Sequence, residues 1–174
     1  MLDCFAYTGG FAINALMGKA KSVELVDTSS AALEIARKNF LINQIDPRNS
    51  QFVEQDVFKY LRTLRDRNLH FDLIILDPPK FAPTTSQVER ASRGYKDINL
   101  LAFKLLTKGG LLLTFSCSGG ISEELFQKIV RGAAVDAEVN AVILKRMHQA
   151  SDHPVALNFP EGSYLKGFLI QNAG

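Results

Sequence analysis

Phe71-Asp72-Leu73-Ile74-Ile75-Leu76-Asp77-Pro78-Pro79-Lys80 decides the fold. Leu73 to Leu76 is a continuous apolar run with no polar alternation. That is how a strand reads when both of its faces are covered, as in a parallel sheet flanked by helices. It ends on a carboxylate and two prolines, which stop the strand. A second such run, Leu111 to Leu113, continues through Thr114-Phe115-Ser116-Cys117-Ser118-Gly119-Gly120, so a thiol stands where that strand leaves the sheet. Ligands of open α/β sheets bind outside the carboxyl ends of the strands. Asp77 and Cys117 are therefore expected to face one crevice.

Outward from these two runs, strand and helix alternate. Met1 to Phe5 is apolar and ends at Tyr7-Thr8-Gly9-Gly10, and Phe11 to Met17 reads as a helix. Ser22 to Val26 is a short β run closing at Asp27. Ser29 or Ser30 can cap a helix through Asn43 with an apolar face of Leu33, Ala36, Phe40 and Leu41. Gln51 to Glu54 is a strand, and Asp56 precedes a helix through about Leu64. Pro78 to Arg93, with a third proline at Pro83, reads as irregular. Helix is expected from near Lys96 to about Leu106, ended by Lys108-Gly109-Gly110. A strand over Gly110 to Phe115 and a Ser122-capped helix through about Val135 follow. Two final strands, Ala141 to Met147 and Tyr164 to Gln171, are joined by a proline-containing loop. The pattern implies an α/β fold with a doubly wound, mostly parallel sheet and one antiparallel strand at the end of the chain. The first strand, which such a sheet places centrally, reaches Asp3 in two residues, where five or six are typical. It therefore reads as truncated, the chain as one lacking an N-terminal portion, and its exposed remnant as a site of self-association into a homodimer.

The bulk numbers fit one globular domain over 1–174. Hydrophobic residues make up 47% and charged residues 22% of 174. No apolar run reaches the roughly 18 residues of a membrane span. No signal peptide is visible at Met1. A net charge of +2 does not by itself argue for nucleic acid. The two cysteines, Cys4 and Cys117, make neither a disulfide framework nor a metal site, and read as reduced thiols of a cytoplasmic protein.

At the first turn, Gly9 and Gly10 precede a helix N-terminus, whose backbone N–H groups suit an anionic group. The G-x-G-x-x-G spacing of dinucleotide binders is absent. Asp27 ends the second strand, where a carboxylate can accept both hydroxyls of a ribose. Asp56 follows the third and could receive an adenine amino group. Each carboxylate alone reads first as a helix cap; three in successive β-α units read as more.

Asp3-Cys4-Phe5-Ala6-Tyr7-Thr8-Gly9-Gly10 resembles motif I of the class I S-adenosylmethionine-dependent methyltransferases, with Asp27, Asp56 and Asp77-Pro78-Pro79-Lys80 where motifs II, III and IV fall. With Arg93-Gly94-Tyr95-Lys96-Asp97-Ile98-Asn99 and Phe115-Ser116-Cys117-Ser118-Gly119, nearly the whole chain is similar to the bacterial ribosomal RNA large subunit methyltransferase I family, enzymes that make 5-methylcytosine in 23S rRNA. Members carry an N-terminal PUA domain and a middle domain that this sequence does not match. The resemblance implies a Rossmann-like catalytic domain using S-adenosyl-L-methionine, with 23S rRNA as partner. It implies cofactor contacts at Asp3, Phe5, the Tyr7, Thr8 and Gly9 turn, Asp27, Thr28, Asp56, Val57 and Asp77.

The chemistry explains the pairing of thiol and carboxylate. Carbon 5 of cytosine is a poor nucleophile until a thiolate adds to carbon 6. Cys117 is the expected nucleophile, with its thiol pKa lowered from about 8.5 or its proton removed as substrate binds. Asp77 is the expected acid or hydrogen-bond partner of ring nitrogen 3. Pro78, Lys80 and Phe81 border the crevice as substrate contacts, Lys80 toward phosphate and Phe81 toward an extruded base. Arg93, Tyr95 and Lys96 read as a basic-aromatic patch suited to single-stranded RNA, or else as an ordinary helix start. Lys59, Arg62, Arg65 and Arg67 recur at helical spacing and read first as a solvated face. Cys4 is expected in the core, and His153 reads as a loop residue without a role. Two other readings stand beside this one. A nitrogen-directed methyltransferase would use Asp77 and not need Cys117; a non-catalytic cofactor- or RNA-binding piece would need neither.

Overall fold

The structure is a computed structural model that describes residues 1–81 and 87–174. Seven strands form one sheet: β1 (Leu2–Cys4), β2 (Val23–Asp27), β3 (Ser50–Glu54), β4 (Phe71–Leu76), β5 (Leu106–Ser116), β6 (Ala141–Met147) and β7 (Lys166–Asn172). Their order is β3-β2-β1-β4-β5-β7-β6. The first five pair in parallel, and β7 runs antiparallel to both β5 and β6. The antiparallel strand, last in the chain, thus sits second from the sheet edge. The order reverses direction at β1, between β2 and β4. That is the topological switch point where ligands of such sheets bind.

Helices α1 (Gly10–Met17) and α2 (Ser30–Ile42) cover one face, and α3 (Val57–Asp66), α4 (Val88–Leu105) and α5 (Glu123–Asp136) the other. Strand alternation divides the core accordingly. Leu2, Cys4 and Val26 join the α3–α5 side with Leu61, Ile74, Leu76, Tyr95 and Phe126, whereas Val23 and Leu25 join Ala12, Leu33, Ala36 and Phe40. Cys4 is 0% exposed, the core thiol expected from sequence. The helices start where the small polar residues said they would. Ser29, Asp56 and Ser122 each accept a backbone N–H of the first turn, from Ala32, Lys59 and Leu125.

Two expectations fail locally. The segment read as irregular up to Arg93 is helical from Val88, eight residues before Lys96. Ala91 is buried there, Ser92 bonds back to the Val88 carbonyl, and Arg93 pairs with Glu89 one turn away. Gly94 is tolerated because Phe81 packs where a side chain would start, 3.4 Å from an ideal Cβ. Pro83 lies outside the described residues. Lys108-Gly109-Gly110 does not end a helix either. Helix α4 stops at Leu105, and the glycines bulge inside β5, where pairing with β4 jumps from Phe71–Leu106 to Leu73–Leu111. The first strand is as short as expected but ends at Cys4, so Asp3 lies inside it.

Candidate functional site

The turn after β1 is held in an uncommon conformation. Phe5 and Tyr7 have φ of 61° and 47°, and Gly9 has φ of 81°. Bulky residues avoid this region, and such strain gathers at functional sites. The Tyr7 N–H donates to Asp27 Oδ2 at 2.9 Å, tying the turn to the end of β2, while Asp27 Oδ1 accepts the Ser29 N–H at 2.9 Å. Gly9 could be nothing else: beyond its φ, an ideal Cβ there would stand 3.1 Å from Ala36 Cβ and 3.2 Å from Leu25 Cδ2. The turn therefore presses on α2 and opens the other way.

It opens into a crevice of about 570 Å³ across the carboxyl ends of β1, β2, β4 and β5. Phe5, Tyr7, Asp27, Thr28, Asp77, Pro78 and Cys117 line it, so five of the ten expected cofactor residues share one space with the two expected catalytic groups, while Thr8 and Gly9 do not line it. Lys80 stands at its rim, its ammonium 5.3 Å from the Tyr164 ring centroid. The loop between β6 and β7 closes the far side with Gln149, His153 and Tyr164. The sequence singles out neither Gln149 nor Tyr164, and His153 reads there as a loop residue without a role. The one signal was the position of His153-Pro154 in that loop, since no motif marks a residue that reaches a site from a loop.

The other expected residues lie elsewhere. Asp3 is 1% exposed and points toward α1, where Oδ2 accepts the Ala12 N–H at 3.2 Å and Oδ1 has no partner. Asp56 caps α3, and neither it nor Val57 lines the crevice. Tyr95 is 0% exposed, its hydroxyl 3.0 Å from Ser118 Oγ. A ring so enclosed cannot stack on RNA. Arg93 pairs with Glu89, and Lys96 reaches Asp136 of α5 at 2.8 Å, so both lie on the solvent side of α4 and not in a loop patch. The Phe81 ring is committed to packing, 4.8 Å from Tyr95 and 5.9 Å from Phe58 between centroids. Arg62 pairs with Asp97 and Arg65 with Asp66, as a solvated face does.

Loss of solvation shifts three acids of the site and its surroundings toward their protonated forms. Loss of solvation raises the Asp77 carboxyl, although its side chain opens to the crevice. Loss of solvation, opposed by the Ala12 N–H and reinforced by Asp77 and Asp27, pushes Asp3 to about 7. The Cys117 thiol is raised, not lowered as a nucleophile would require. Burial is the main cause and the charge of Asp77 the next, while Lys80 and Lys166 pull the other way. Its Sγ lies 3.6 Å from the Pro78 carbonyl oxygen, a weak thiol bond across the strand ends.

A strained turn, strand-end carboxylates at the switch point and a thiol in the same crevice define a Rossmann-like group-transfer enzyme. Residues 1–154 match the S-adenosylmethionine-dependent methyltransferase family, and the chain belongs to it. Ribosomal RNA large subunit methyltransferase I of Escherichia coli K12 is 55% identical over 98% of this chain; the chain spans 43% of that relative's length. SMU.776, described as a methyltransferase and solved with SAH, is 28% identical with a TM-score of 0.85, covering 98% of this chain and 44% of that one. NSun6 from Pyrococcus horikoshii, 20% identical with a TM-score of 0.68 over 99% of this chain and 47% of its own, shares the fold.

S-adenosylmethionine is the cofactor of this family, and the residues present fit it. Asp27 offers carboxylate lone pairs to ribose hydroxyls. The carboxyls of Asp27 and Asp77 suit the cationic methionine end. A volume of about 570 Å³ lies within the range of small-molecule sites. Among the described residues no cluster of His, Cys, Asp and Glu could hold a metal, and no helix is long and apolar enough to cross a membrane.

Proposed function

We propose that this domain methylates carbon 5 of a cytidine in 23S rRNA through a covalent Cys117 adduct, in the cytoplasm. The observation that carries the reading is the sharing of one crevice by Cys117, Asp77 and the Asp27–Thr28 strand end. The 55% identity to a relative named for the large ribosomal RNA supports the substrate class.

When bound, the cofactor supplies an electrophilic methyl group on a sulfonium. The chain's own residues do the rest. Asp27 and the Tyr7 to Gly9 turn hold the ribose and methionine ends. The Cys117 thiolate adds to carbon 6 of the cytosine, and Asp77, its carboxyl raised, donates a hydrogen bond to nitrogen 3 as charge develops there. Carbon 5 then takes the methyl group. Loss of its proton re-forms the double bond and expels the thiolate. Pro78 flanks the thiol, and Lys80 stands at the rim to meet a phosphate.

The raised Cys117 pKa favours a second reading, nitrogen methylation guided by Asp77 alone. The two are separated by incubating the protein with S-adenosylmethionine and 23S rRNA carrying 5-fluorocytosine. Fluorine cannot leave as a proton does. A protein–RNA adduct surviving denaturing electrophoresis, and lost in Cys117→Ala, is the expected result. Methyl transfer without an adduct, undiminished in Cys117→Ala, would establish the nitrogen reading.

A further inference from the structure

Lys166 opens β7 opposite Ser116 in the antiparallel pairing. Its Nζ donates to the Ser118 carbonyl at 2.8 Å, so the ammonium lies against the peptide unit that follows Cys117. The side chain is half-buried, and among the described residues it has no ion pair. Burial lowers its own pKa, opposed first by Cys117 and then by Glu123 of α5, which Arg146 already engages.

The charged and titratable groups around the thiol come from every neighbouring element: Tyr7 and Asp27 at the ends of β1 and β2 and His153 and Tyr164 of the β6–β7 loop line the same crevice. Asp77 at the end of β4 opposes ionisation, and Lys80 just beyond it favours ionisation. Tyr95 of α4 is a buried phenol bonded to Ser118, and Glu123 of α5 acts on Lys166. The two lysines differ in kind. Lys80 exerts the larger pull on the thiol but is exposed over Tyr164, so salt screens it; Lys166 is anchored by a hydrogen bond and partly withdrawn from water, where its charge is screened less.

We propose that Lys166 is a positioning residue that eases ionisation of Cys117 in the crevice, its fixed ammonium opposing in part the burial and the Asp77 charge that keep the thiol neutral at rest. The inference rests on the covalent reading above for its role in the reaction. The S–H proton passes to water through the open crevice, and the ammonium keeps all three of its own protons. The hydrogen bond to Ser118 fixes the ammonium against the peptide unit that follows Cys117 and does not itself transfer a proton.

The test reads the thiol directly. Cys4 is fully buried, so iodoacetamide alkylation of the folded protein reports Cys117. Its rate is followed from neutral to alkaline pH in the wild type, Lys166→Gln, Lys166→Arg and Lys80→Met. Lys166→Gln keeps a donor for Ser118 without the charge. It should move the inflection up by about one pH unit, a roughly tenfold loss of thiolate at neutral pH. Lys166→Arg should stay near the wild type. The shift of Lys80→Met should vanish in about 1 M salt, where screening acts within ~3 Å, and that of Lys166→Gln should persist. Folding is checked by thermal melts, and Lys166→Met stands in if the glutamine variant unfolds. A folded Lys166→Gln that alkylates like the wild type, or a Lys166→Arg displaced as far as the glutamine variant, would overturn the proposal. The 5-fluorocytosine trap decides the covalent reading separately, since a missing adduct leaves a measured thiol shift untouched.

Discussion

Replacing Asp3 by asparagine should stabilise the protein above neutral pH and destabilise it in acid. Asp3 sits inside β1, almost wholly buried, and its carboxyl is pushed from 3.8 to about 7. The sign follows from which state holds the proton. Between those two values the folded chain binds a proton at Asp3 and the unfolded chain does not, so stability falls as pH rises. Three pH units at ~1.4 kcal/mol each bring the loss to roughly 4 kcal/mol by pH 8, with the full stability present only below the unfolded value.

Asparagine removes that loss but introduces a defect of its own. Oδ2 can still accept the Ala12 N–H through the amide oxygen, while the amide nitrogen takes the place of Oδ1, which has no partner. An unsatisfied buried donor costs about 1–3 kcal/mol. The variant should therefore be about 2 kcal/mol more stable than the wild type near pH 8 and less stable by a similar amount near pH 4. Urea unfolding across that range reads both ends. Two stability curves that run parallel, with no crossing, would refute the buried-acid account whatever the offset between them.

Asp77→Asn removes the anion that raises Cys117, so the thiol pKa should fall and iodoacetamide should react faster at neutral pH, while methyl transfer drops. Slower alkylation would show that Asp77 acts on the thiol by contact and not by charge. Phe126→Ala breaks the ring series from Tyr95 through Phe126 to Phe168 in a fully buried position and should destabilise by about 3–5 kcal/mol in urea melts.

The fold was legible because its decisive strands are apolar throughout. Leu73 to Leu76 and Leu111 to Leu113 read the same in isolation as they do between two helical layers. Asp77, Cys117 and Asp27 were legible for a related reason: a polar residue that ends such a strand in this topology has one place to go. What failed depended on packing that no local pattern encodes. The first two turns of α4 carry a glycine and follow a proline-rich stretch, and they are helical because Ala91 and Tyr95 bury against the sheet and Phe81 fills the space beside Gly94. That same burial removed Tyr95 from the RNA patch its neighbours Arg93 and Lys96 had suggested. Lys166 was invisible for the opposite reason, since a lysine at the start of a strand gains meaning only from the strand beside it.

One electrostatic theme joins the turn, the carboxyls and the thiol. Asp3, Asp77 and Cys117 are all pushed toward their neutral forms, and in each the first cause is loss of solvation. A nucleophile kept neutral at rest is poorly reactive toward alkylating and oxidising agents, because the thiolate is the reactive form. The same crevice holds Asp27, whose two oxygens accept backbone N–H groups; Lys80 stands at its rim and Lys166 lies behind the thiol on the Ser118 carbonyl. A cation beside Asp27 and Asp77 offsets the carboxylate charge that the thiol meets, and so eases its ionisation. A ring nitrogen that engages Asp77 weakens the same opposition. Either leaves the fields of Lys80 and Lys166 to act on Cys117.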